Sequence, residues 1–290
     1  MNSNNDITEI IINTINNIFE KFFSSIDNQL YSILDDITFI NSNILSDNNF
    51  EKLLGSSTSN GILLIANSLL LGFILYYSIK YLISHITYQK VENPSRFLFK
   101  LIFLGICMNF SFSIMKFFLD LNSYISLAIR SVGEYLFHKN ICFSELILNI
   151  NNSISFSSNN IFSVDGFIKS TLSISLINLI FSYSFRFIML KIFILLTPFA
   201  FLSASLDSTS WFFKSWFKNI FALLFIQHIV SLVLLILFSL DFSNNDLLNK
   251  FIYLGGIYSL LKANSFVREF IGGVSTNISQ YVHNFSKIHS

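Results

Sequence analysis

Residues 195–219 read "LLTPFAFLSASLDSTSWFFKSWFKN". The path of this stretch sets how many times the chain crosses a membrane. Pro198, one of only two prolines, interrupts an apolar run, where proline removes a helical donor and clashes with the preceding turn. The polar group Asp207-Ser208-Thr209-Ser210 follows. Then the only two tryptophans, Trp211 and Trp216, alternate with Lys214 and Lys218. The apolar part, residues 192–206, is shorter than the about 20 residues that a helix needs to span a bilayer. The expected path dips into the membrane and returns, a backbone tolerated only where protein or a water-filled cavity surrounds it. Both tryptophans are then expected in the headgroups with the lysines in water beside them. Asp207 or Ser208 is expected to cap the next helix.

The rest of the chain fits a membrane setting. Hydrophobic residues make up 52% and charged residues 12%, about half the charge of a soluble domain. Apolar runs predict spans near 62–83, 97–119, 167–190 and 217–240, with a fifth, least apolar one near 247–261. The expected fold is all-α: a polytopic membrane helix bundle of about five transmembrane helices plus the re-entrant segment. Residues 1–60 form an amphipathic helical region, 61–262 the transmembrane domain and 263–290 a tail. The polar, acidic start of the chain predicts no cleavable signal peptide.

In residues 6–60, Ile11, Ile15, Ile18, Phe22, Ile26, Leu30, Ile33 and Ile37 recur at helical spacing. Such a stripe must be buried, either on the protein's own helices or on a neighbour. Basic residues set orientation. With the N-terminus outside, 11 of the 18 lysines and arginines fall inside, and 14 of the 17 acids fall outside. The predicted topology is therefore N-out/C-in. It places the 1–60 region, with Asp35 and Asp47, outside, and Lys191 with the 263–290 tail in the cytoplasm.

Polar side chains inside the spans form two candidate faces. Asn109, Ser113, Lys116 and Asp120 share one, with Lys116 and Asp120 spaced to pair. Ser175, Asn178, Ser182 and Arg186 share the other, and His228 stands alone in the fourth span. These groups either pack helix against helix or line a polar path for a translocated substrate. Phosphate-loop, zinc-protease, C-x-x-C and nucleophile-elbow patterns are all missing. The expectation is a protein that is not an enzyme and carries no cofactor or metal.

The order of four stretches, Asn60–His85, Phe97–Ile114, Phe162–Ser170 and above all Arg186–Ile220 with its proline-centred turn and tryptophan segment, resembles the TrbL/VirB-type polytopic membrane subunits of type IV secretion systems. The resemblance implies a bacterial plasma (inner) membrane location and a channel-scaffold role in conjugal DNA transfer. It also implies partners: other secretion subunits including ATPases, an oligomeric complex and a DNA–protein substrate. A stand-alone small-solute permease is the rival expectation. It would be favoured by an inverted repeat, which the sequence does not display.

Overall fold

The computed structural model describes Ile10, Ile11, Thr14 and residues 28–55, 61–88, 91–153, 164–240 and 247–271. Half of the predicted N-terminal stripe, from Ile15 to Ile26, and the tail beyond 271 lie outside the described residues. Among the described residues every regular element is helical. In chain order they are α1 (Asn28–Thr38), a 3-10 turn (Ser42–Leu45), α2 (Asn48–Leu54), α3 (Gly61–Thr87), α4 (Pro94–Asn109), α5 (Ser111–Phe137), α6 (Phe143–Ser153), α7 (Val164–Leu195), α8 (Thr197–Ser203), α9 (Ser210–Phe238) and α10 (Leu247–Ile271).

Four of these, α3, α5, α7 and α9, are long and apolar enough to cross a bilayer. That is the mark of an integral membrane protein. The second differs from the sequence expectation. The expected span ran from about 97 to 119, with Asp120 counted on its polar face and Asn122 not singled out. Instead the helix breaks at Phe110, and a 27-residue helix starts at Ser111 and carries those polar residues within it. They are tolerated there because Asp120 Oδ1 accepts the Ser42 amide at 3.3 Å and Asn122 pairs with Gln227. The fifth expected span becomes α10, which extends to Ile271 and is not among the four.

The main core lies among α5, α7, α9 and α10. Asn122 meets Gln227 and Ser126 meets Ser231, both at a sequence offset of 105, so α5 and α9 run parallel. Trp216 meets Phe193 and Leu223 meets Arg186, so α7 runs antiparallel to α9. A second, smaller core joins α3 and α4 to the end of α8 through Leu63, Ala66, Phe97, Leu101, Met108, Leu202 and Leu206.

Residues 31–54 do not stand apart. Tyr31, Leu34, Ile40, Ile44, Leu45 and Phe50 are buried in the main core, so this arm packs on the protein's own helices, but not through the predicted stripe: Ile11 and Ile33 are exposed and Ile37 is half-buried. This arm runs along the bundle. Asp35 accepts the Phe143 and Ser144 amides at 2.7 and 3.2 Å and the Ser144 hydroxyl at 2.8 Å. Those bonds satisfy orphan donors at the start of α6. Burial raises the Asp35 carboxyl above the ordinary carboxylate range, while those hydrogen bonds and Arg130 pull it back in part. Further along, the Thr38 carbonyl accepts from Arg186, and Asp47 reaches Lys191 at 3.9 Å. The charge tally assigned Asp47 and Lys191 to opposite sides of the membrane. Their contact means the tally cannot hold for both.

Candidate functional site

In the 195–219 stretch the helix breaks, and the short α8 leads through a turn into α9. Pro198 sits in the first turn of α8, where its missing donor is harmless, and α7 ends just before it. Ending a helix inside protein leaves carbonyls without their partners. Two side chains fill the Phe193 carbonyl: Trp216 Nε1 donates at 2.8 Å and Thr197 Oγ1 at 3.2 Å. The turn after α8 is held in the same way, with Thr209 Oγ1 donating to the Ser203 carbonyl at 2.7 Å. This local chemistry explains why proline, threonines and tryptophan cluster here.

The two tryptophans therefore differ. Trp211 is 66% exposed, as a headgroup anchor requires, whereas Trp216 is 4% exposed and packs against Phe201 and Phe213. The expectation that both anchor at the surface is corrected for Trp216, whose indole N–H is needed inside. Asp207 does not cap α9. The cap position is Thr209, without a side-chain cap bond, and the exposed Asp207 carboxylate faces Lys100 at 3.4 Å. Lys214 and Lys218 are exposed on the first turns of α9.

Lys100 also reaches Glu92 at 2.7 Å, and Glu92 meets Arg96 at 3.5 Å. The hydrogen bond to Glu92 holds the Lys100 ammonium above its ordinary value. Lys100 thus links the head of α4 to the turn after α8. Arg96 and Asp207 are solvent-facing, so their pairs contribute little to stability, whereas the Lys100–Glu92 pair is half-buried. Their effect is to bring Arg96 and Lys100, at the head of α4, to the turn that leads into α9, whose first turns carry Lys214 and Lys218.

The polar faces resolve differently. On α7, Ser182 and Arg186 are buried, while Ser175 is half-buried and Asn178 is exposed. Ser182 accepts from Asn264 of α10 at 2.7 Å. Arg186 is 0% exposed, and its Nε and Nη1 donate to the Leu223 and Thr38 carbonyls at 2.9 and 3.0 Å. On the other face, Asn109 pairs with Asn67 of α3 at 3.2 Å, and Ser113 and Lys116 are exposed. No ion pair joins Lys116 to Asp120, because Asp120 turns to the N-terminal arm. His228 is half-buried, edge-on to Phe225, and its Nδ1 is buried without a partner.

The sequence reading missed the pairs that stitch α5 to α9: Asn122 with Gln227 at 3.1 Å and Ser126 with Ser231 at 2.7 Å. The signal was present. Both helices carry polar residues four apart in otherwise apolar sequence, which places them on one face of each. What can the arrangement do? It locks the helices at fixed depth, since a one-residue slip would leave amides and hydroxyls unpaired in an apolar setting. No family model matches the chain, and neither a curated protein nor a solved structure matches it.

Proposed function

We propose that the chain is a non-catalytic scaffold subunit of a multi-protein membrane secretion channel, of the conjugative type IV kind that its sequence resembles. The observation that carries this reading is the contrast between interior and surface. The α5–α9 and α7–α10 interfaces are closed by mutually satisfied polar pairs. The α3 span, in contrast, has only 17% of its apolar window buried within the chain. Such a chain is organised to sit among lipids and neighbouring subunits rather than to enclose a solute path by itself.

In this reading five helices cross, α3, α5, α7, α9 and α10. The α8 element returns to the side it left, which is supported by the Phe193–Trp216 contact between neighbouring helix ends. The end carrying Arg96, Lys100, Lys214 and Lys218 faces the cytoplasm, where it meets the energising ATPase. Mild-detergent purification of the tagged chain from its native membrane tests this. Co-purifying ATPase and membrane subunits, together with loss of DNA transfer on deletion, are expected. A chain that purifies alone and moves a small solute in vesicles would overturn the proposal in favour of a permease.

A further inference from the structure

Arg186 carries a positive charge into the bundle with no carboxylate among the described residues to meet it. Leu223, whose carbonyl it binds, is one residue from the middle of the 29-residue α9. None of the ion pairs among the described residues involves Arg186. Its aromatic neighbour Tyr183 spends its hydroxyl on the Leu260 carbonyl at 3.0 Å. Two carbonyls satisfy Nε and Nη1, and Nη2 has no partner. An ionised group buried without a counter-charge costs several kcal/mol even after relaxation.

One more buried donor lacks a partner beside it. Thr38, whose carbonyl holds Nη1, is 0% exposed, and its Oγ1 bonds to nothing. A guanidinium N–H and a hydroxyl can both donate to one guest. The guanidinium repels a cation. A water molecule would accept from the donors but leave the charge uncompensated. Full burial of Arg186 and Thr38 limits the guest to a small one.

We propose that Arg186 Nη2 and Thr38 Oγ1 bind a small inorganic anion of halide size inside the bundle. The anion neutralises Arg186 and ties the N-terminal arm to α7. The site stands independently of the secretion reading, because it rests on side chains within this one chain.

Thr38 makes the test sharp. Its hydroxyl has no protein partner, so Thr38→Val removes no existing hydrogen bond. The purified full chain in detergent is unfolded thermally while sodium chloride replaces sodium gluconate at constant ionic strength. The wild-type midpoint should rise with chloride and saturate, as binding to the folded state alone requires. Thr38→Val should match or exceed the wild type in gluconate, and need about tenfold more chloride for half its gain, one hydrogen bond's worth. Equal wild-type midpoints in the two salts would overturn the proposal, and so would a Thr38→Val curve with an unshifted chloride response.

Discussion

Gly255 and Gly256 are adjacent on α10, yet alanine should have opposite effects at the two positions. Neither has the positive φ that only glycine tolerates well, so the backbone accepts alanine at both. A Cβ at Gly255 meets nothing within 4 Å. There, alanine gains only helix propensity, about 1 kcal/mol. A Cβ at Gly256 would collide with Leu237 Cδ2 and lie 2.9 Å from Cδ1 and 3.0 Å from Cγ. Three atoms of one side chain stand in the way, and Leu237 is only 2% exposed, so it has little room to turn aside. Overpacking of this kind costs about 1–3 kcal/mol. The propensity gain is common to both variants and cancels in the comparison. Gly256→Ala should therefore be about 1–3 kcal/mol less stable than Gly255→Ala, a factor of about 5 to 150 in the folded population. Reversible unfolding in mixed micelles, followed by tryptophan fluorescence, reads the difference. Adding Leu237→Ala should relieve most of the clash, since contacting residues couple. Equal stability of the two glycine variants would refute the close α9–α10 packing.

The tryptophans should also separate in the same assay: Trp216→Ala is expected to cost about 3–5 kcal/mol, and Trp211→Ala to stay within about 0.5 kcal/mol as an exposed site. A larger effect at Trp211 would restore the view of both as surface anchors. Asp35→Ala strips three bonds from the head of α6 and should cost about 1–3 kcal/mol, read as faster proteolysis near residue 143; unchanged cleavage would show that the arm is not needed there. The Asn122–Gln227 pair should give a coupling near 0.6 kcal/mol in a double-mutant cycle, the usual scale within membranes; zero coupling would remove it as a depth lock. Single cysteines placed at Ser208, Lys218 and Arg96 should all react with an impermeant reagent from one side of sealed vesicles. Ser208 reacting from the opposite side to Arg96 would mean that residues 192–206 cross the membrane.

Class and crude layout were legible in the sequence because they follow from local quantities. Hydropathy summed over about 20 residues identifies a span wherever the run is apolar throughout. So α3, α7 and α9 were located nearly in place. The break at Pro198 was equally legible, since proline's geometry is intrinsic. What failed was every judgement that depended on a distant partner. Asp120 read as a partner for Lys116, four residues away on the same face, and Asn122 was not singled out at all. Only the fold brought the Ser42 amide to the one and Gln227 to the other. Trp216 read as an interfacial anchor by composition, but its place was fixed by the Phe193 carbonyl that the broken helix left open. Asp47 and Lys191 read as opposite-side charges by a rule that sees loops one at a time. The folded arm placed them side by side. A sequence sets what each residue needs, whether apolar cover, a donor or a counter-charge. Which distant residue meets that need is decided only when the helices pack.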